Sequence, residues 1–253
     1  MQQGTKPRLA AALAHLRNGV FKCADGGAPE PCCILLQEVH EGAFSVIMED
    51  DWIRNHFVLV PEGPNMFPIY YGQVTLVART IPVQRAYSLE FQETRMGRTA
   101  LFVDVLMSVP TSEGWRRSTM RIANTHLESL PEGFEMRPIQ MSLISRALQE
   151  GNLAGGIVCG DMNVIRREDE SLAEDAGLQD AWNGKRGDKS GHTWGYQPRG
   201  RFPPGRLDRI FFTKNVGFNV DEPTRIGEGV RWGPGPTDYV SDHFGLLTTV
   251  SVL

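Results

Sequence analysis

No stretch of this chain is apolar for long enough to cross a membrane. The segment Met1 to Leu16 lacks the charged-then-apolar layout of a secretion signal. Cysteine is scarce: Cys23, Cys32, Cys33 and Cys159 are the only four in 253 residues. None has the paired spacing of a zinc site or a disulfide framework, and Cys159 sits inside an apolar run as a small core residue. These absences point to an intracellular chain, nuclear or cytoplasmic, with no membrane partner. An excess of positive charge is missing too. The formal net charge is −4, which excludes a protein that coats nucleic acid by bulk charge. Local basic clusters are left: Arg166–Arg167, Arg116–Arg117, and Lys185, Arg186, Lys189, Arg199, Arg201 and Arg206. Each also reads as a solvated face. There is no internal repeat, linker or low-complexity segment.

What is present suffices for a large core: 41% of the residues are hydrophobic. Leu9, Leu13 and Leu16 recur at helical spacing within Lys6 to Arg17. Helices are also predicted over Phe44 to Trp52, Gly133 to Gln149 and Glu168 to Ala176. Runs rich in β-branched and aromatic residues, separated by Pro and Gly, predict strands at Cys33–Leu36, Phe57–Val60, Tyr71–Ala78, Thr99–Met107 and Met120–Thr125. Further strands are predicted at Ile157–Val158, His192–Tyr196, Leu207–Thr213 and Gly245–Val252. Strand clusters flanked by a few helices predict one α/β domain over residues 1–253, a sandwich in four layers.

The chemistry gathers at strand ends. Gly156-Ile157-Val158-Cys159 runs straight into Gly160-Asp161-Met162-Asn163. If strand geometry persists, Asp161 and Asn163 point the same way. A carboxylate and an amide side by side suit the activation of a water next to an anionic group. Taken alone, the same residues also read as an Asp/Asn turn. Three more junctions repeat the pattern: Ile34-Leu35-Leu36 into Gln37-Glu38, Arg121-Ile122-Ala123 into Asn124-Thr125-His126, and Ser241-Asp242-His243 before the last apolar run. Four such junctions in one chain are hard to read as unrelated turns.

The order Leu-Gln-Glu (36–38), Thr-His-Leu-Glu-Ser (125–129), Gly-Asp-Met-Asn (160–163), Thr-Trp (193–194), Leu-Asp-Arg-Ile (207–210) and Ser-Asp-His-Phe-Gly-Leu-Leu (241–247) resembles the endonuclease/exonuclease/phosphatase superfamily. Within it, these segments are most similar to the tyrosyl-DNA phosphodiesterase 2 branch. The resemblance implies a DNase I-like α-β-β-α sandwich and a Mg²⁺-dependent phosphodiesterase, with Mn²⁺ as the alternative ion. The substrate it implies is a 5′-phosphotyrosyl bond at a DNA end, single-stranded or blocked, cut by a monomer in DNA repair. Other substrates of the fold stay open: abasic or other DNA for an endonuclease, inositol polyphosphates, or sphingomyelin. So does a binding protein of this fold with impaired catalysis.

It also implies roles. Glu38 would be the main metal ligand, with Asp242 contacting the ion directly or through water. Asp161 would orient or deprotonate the attacking water beside Asn163. His243 would stabilise charge on the phosphoryl oxygens, its ring oriented by Asp208. His126 and Ser129 would bind the phosphate. Tyr71 and Trp194 would stack on bases. For several of these a plainer reading stands beside the functional one: a core histidine for His126, a surface ion pair for Asp208, core aromatics for Tyr71 and Trp194. Two departures accompany the resemblance. Its members open with a strand carrying an Asn at its tip, and no such segment precedes the first helix, so the domain is expected to be N-terminally incomplete. Where the branch has an Arg two positions after the Asn, this chain has Ile165, and Arg166 or Arg167 is expected to clamp the substrate instead.

Overall fold

The computed structural model describes residues 4–112, 114–185, 187–214 and 217–252. Two sheets face each other. The smaller has the order β1-β3-β2, made of Cys33–His40 (β1), Phe57–Val60 (β2) and Tyr71–Ala78 (β3). The larger has the order β4-β5-β6-β7-β9-β8. Its strands are Val83–Glu90 (β4), Thr99–Thr111 (β5), Gly114–His126 (β6), Gly155–Asp161 (β7), Leu178–Asp180 (β8) and Asp208–Thr213 (β9). β6 and β7 run parallel, joined by the helix Met136–Leu148. The other pairings of both sheets are antiparallel.

Period-two alternation distributes the apolar residues between layers, because successive strand side chains face opposite ways. Val77, Ile122, Ile157 and Ile210 fill the space between the sheets. Their neighbours Leu76, Ala123, Val158 and Phe211 face outward and are covered by helices. Thr5–His15, Phe44–Glu49 and Asp51–His56 cover the small sheet through Leu13, Phe44, Ile47 and Trp52. Met136–Leu148 and Leu172–Asp175 cover the large one through Met141, Ile144, Leu148 and Leu172. The result is the expected four-layer α-β-β-α sandwich.

Local departures from the sequence reading have local causes. The helix expected over Phe44 to Trp52 breaks at Asp50, whose carboxylate caps a second helix by accepting from the Ile53 amide at 3.1 Å. His192–Tyr196 forms no strand; Trp194 makes single bridges to Gly205 and His243 instead. The last apolar run splits into Gly245–Leu247 (β12) and Val250–Val252 (β13), which pair with Thr224–Ile226 (β11) and Phe218–Val220 (β10) respectively. β4 escapes the sequence pattern because most of it is exposed and polar. Among the described residues β1 has only β3 as a strand neighbour.

Polar bridges lock the two sheets together at one end. The buried Asn124 donates from Nδ2 to the carbonyls of Leu36 at 3.1 Å and Val74 at 3.0 Å, and accepts from Gln37 Nε2 at 2.7 Å. A buried amide satisfied on both its nitrogen and its oxygen fixes one relative placement of the sheets. Glu38 and His126, the next site residues along β1 and β6, are thereby held facing each other.

Candidate active site

The strand register builds the site. His126 of β6 sits opposite Asp161 of β7, and Asp161 opposite Asp208 of β9. One row across three strands thus carries an imidazole and two carboxylates. Like charges directly opposite one another repel. Here His243 offsets that repulsion: its Nδ1 lies 2.8 Å from Asp208 Oδ2 and its Nε2 4.0 Å from Asp161 Oδ2.

Asp161 is 7% exposed. Burial, reinforced by the Asp208 carboxylate, raises its pKa from 3.8 to about 7. The charge of His243 and a hydrogen bond from the Asn163 amide pull the other way. His243 moves oppositely. Burial alone would lower it, but the carboxylates of Asp208 and Asp161 outweigh burial and hold it up at about 10. At neutral pH the Asp208–His243 unit is a hydrogen-bonded carboxylate–imidazolium pair aimed at Asp161.

His126 is pushed well below the ordinary histidine range by burial, then by Arg98 and His243. Arg98 Nη1 lies 2.8 Å from His126 Nδ1. A guanidinium only donates, so Nδ1 accepts and the ring hydrogen sits on Nε2, which faces Asp161 Oδ2 at 3.4 Å. Arg98 also donates to the Tyr71 hydroxyl at 3.3 Å, while its own Nε is buried without a partner. Sequence reasoning missed Arg98. Its only signal was a charged residue at the mouth of the apolar β5 run.

Asp161 and Asn163 meet, but not by strand pleating. β7 ends at Asp161, and its Oδ1 accepts the Asn163 amide at 2.8 Å. The Asp/Asn turn and the chemical pairing are therefore one arrangement. Asn163 sits at φ 48°. Its Oδ1 accepts from Ser129 Oγ at 3.1 Å and its Nδ2 donates to the Leu127 carbonyl at 3.0 Å. Gly160 makes the approach feasible: at φ 149°, a Cβ there would overlap the Thr125 carbonyl oxygen.

Glu38 closes the other side. A bulge in β1 between Leu36 and Val39 leaves it at φ 55° with its side chain 58% exposed, Oε1 3.8 Å from His126 Nδ1. An open carboxylate at a strained position fits a hard divalent cation, which prefers oxygen ligands. Among the described residues, Asp161, Asp208 and His243 also bring donor atoms within 4.8 Å of one another. Asp242 is exposed and adds its charge to the field on His243. Trp194 flanks His243 with ring centroids 6.4 Å apart, and Tyr71 is half-buried against Arg98. Arg166 stacks on Phe134 at 4.1 Å, and Arg167 is exposed.

A paired-sheet sandwich with carboxylates and imidazoles on adjoining strand ends defines a hydrolase acting on phosphoester bonds. The chain belongs to the endonuclease/exonuclease/phosphatase family, whose sequence profile matches residues 4–243. No curated protein matches it significantly in sequence. Among solved structures it is similar to truncated TDP2 from Caenorhabditis elegans, at 21% identity and TM-score 0.71, covering 100% of this chain and 92% of that one. It is also similar to TDP2 of D. rerio complexed with single-strand DNA product, at 19% identity and TM-score 0.71, covering 99% and 94%. The human Nocturnin catalytic domain with bound sulfate anion follows at 17% identity and TM-score 0.62, covering 98% and 87%. At these identities the likeness carries the fold.

Proposed function

We propose that this protein is a Mg²⁺-dependent phosphodiesterase that hydrolyses 5′-phosphotyrosyl bonds at DNA ends, acting as a monomer in DNA repair. The observation that supports it most is the row His126, Asp161, Asp208 with His243 bonded to Asp208. Asp161, half-ionised near neutrality, accepts the proton of the attacking water and orients it with Asn163. His243, kept positive by Asp208, stabilises charge developing on the phosphoryl oxygens. Neutral His126 donates from Nε2, and Ser129 adds a hydroxyl to the phosphate. Glu38, with Asp242 nearby, would hold the divalent cation, which supplies Lewis-acid polarisation of the phosphoryl group when bound. Tyr71 and Trp194 would offer aromatic faces to an unpaired strand, and Arg166 or Arg167 a positive charge to its backbone.

The segments resembling the tyrosyl-DNA phosphodiesterase 2 branch, and the DNA-bound TDP2 structure among the similar folds, favour this substrate over others of the family. The test is a panel with Mg²⁺: a 5′-phosphotyrosyl oligonucleotide, abasic DNA and inositol phosphates. Release of free tyrosine and a 5′-phosphate at the highest kcat/KM is expected. Preference for another member moves the substrate assignment, and turnover of none removes the enzymatic reading.

A further inference from the structure

Four non-glycine residues among those described have positive φ: Lys22, Glu38, Leu130 and Asn163. Glu38 and Asn163 carry side chains of the site. Leu130 follows Ser129 directly, and at φ 65°, ψ 161° it occupies a region open essentially to glycine alone. Burial does not offset that strain, because Leu130 is 52% exposed. The conformation is enforced from below. The Leu130 carbonyl accepts from Arg137 Nη1 at 3.0 Å and from the Gly133 amide at 3.1 Å. Arg137 is fully buried and paired with Asp169 at 2.8 Å. Asp169 in turn accepts the amides of Ile165 and Arg166 at 3.1 and 2.8 Å. One buried ion pair therefore ties together the two loops that leave Ser129 and Asn163. Each loop then presents an exposed aliphatic side chain, Leu130 and the 44%-exposed Ile165. A chain that places leucine where glycine fits, and leaves it in water, has the side chain there to meet something.

The position says what. Leu130 follows Ser129 directly and Ile165 lies two positions past Asn163, and Ser129 Oγ donates to Asn163 Oδ1, so both loops leave the same edge of the site. In-line displacement sends the leaving group away from the attacking water and keeps the retained ester in the plane between them, at the edge of the site. We propose that Leu130 and Ile165 form an apolar lip that selects the ester group retained on phosphorus, favouring a planar or apolar group, such as an unstacked base, over a small one. This rests on the phosphodiesterase reading and deepens it.

Bis(p-nitrophenyl) phosphate and methyl p-nitrophenyl phosphate test it, since both release p-nitrophenolate and differ only in the retained group. The native protein with Mg²⁺ is expected to prefer the aryl ester. In Leu130→Gly and in Ile165→Ser that kcat/KM ratio falls about 5-fold, the effect of losing part of one aliphatic contact. Leu130→Gly melts no lower than the native protein, because glycine adopts this φ freely. An unchanged ratio in a folded Leu130→Gly or in Ile165→Ser overturns the lip; if Leu130→Gly fails to fold, Ile165→Ser decides. Calorimetric binding of phenylphosphonate against methylphosphonate repeats the comparison without turnover. Lack of turnover by the native protein therefore counts against the enzymatic reading, and loss of the phenyl preference in the variants still decides the lip.

Discussion

Replacing Asp161 by asparagine should stabilise this protein while stopping its chemistry. The folded chain holds the Asp161 proton up to about 7, against an ordinary 3.8. Between those values the folded state binds one proton more than the unfolded state, so stability falls as pH rises through that window. Above pH 7 the whole cost of the buried carboxylate is present; it fades as pH falls and is gone only below about 3.8. At ~1.4 kcal/mol per pH unit, the ceiling is about 4 kcal/mol. That figure already contains the opposing attraction of the His243 imidazolium; the asparagine amide must set its Nδ2 beside the N–H groups of His126 and His243, which leaves about 2 kcal/mol as the gain, on the order of one ordinary point-mutation effect. Asparagine is nearly the same size and its Oδ1 can keep the hydrogen bond from the Asn163 amide. For a chain of this length about 2 kcal/mol corresponds to a Tm rise of roughly 4–8 °C. The assay is a thermal scan of both proteins at pH 8 and at pH 4.5 without divalent ions, beside a turnover measurement. The expected result is a higher Tm at pH 8, a difference that shrinks sharply at pH 4.5, and a loss of turnover of about 10²-fold or more. An equal or lower Tm at pH 8 refutes the costly buried charge, and an equal gain at both pH values assigns the effect to packing.

Other perturbations separate the parts of the site. Asp208→Asn removes the main support of the raised His243 pKa, so the alkaline limb of the pH–kcat/KM profile should fall from near 10 toward the ordinary histidine range. Activity should drop about 10²- to 10⁴-fold as the ring loses its orienting partner; an unmoved alkaline limb contradicts the role given to Asp208. Gly160→Ala forces a Cβ into the Thr125 carbonyl between parallel strands, and soluble expression or the denaturation midpoint should collapse; native-like stability would mean that β6 and β7 are less tightly apposed. Arg137→Ala leaves Asp169 buried and unpaired, at a cost of about 3–5 kcal/mol in urea denaturation; a loss under 1 kcal/mol would show the pair is not holding the two loops.

The sandwich was legible because the central strands of both sheets are buried on both faces. Continuous apolar runs such as Ile157–Val158 and Phe211–Phe212 announce central strands. Half-exposed β4 and the short β8, β10 and β11 carry too few apolar positions to stand out. The site was legible where a strand end changed abruptly from apolar to polar, at Glu38, His126 and Asp161. It was less so where the arrangement depends on distant chain segments. The bond between Asp208 and His243 spans 35 positions and was expected only through the family resemblance, while Arg98, which reaches His126 across 28, was missed. Local pattern does not encode such partners. Asp161 and Asn163 were paired for a geometric reason the turn replaces, since strand geometry stops at Asp161. Arg166 shows the limit of charge counting: its guanidinium rests on Phe134.

The central claim is that a water held by Asp161 attacks phosphorus. It is tested by cleaving a 5′-phosphotyrosyl oligonucleotide with Mg²⁺ in heavy-oxygen water and weighing both products. The account predicts one labelled oxygen in the 5′-phosphate and none in the tyrosine, with cleavage abolished by a chelator. Label in the tyrosine, or no cleavage by the folded protein, contradicts it.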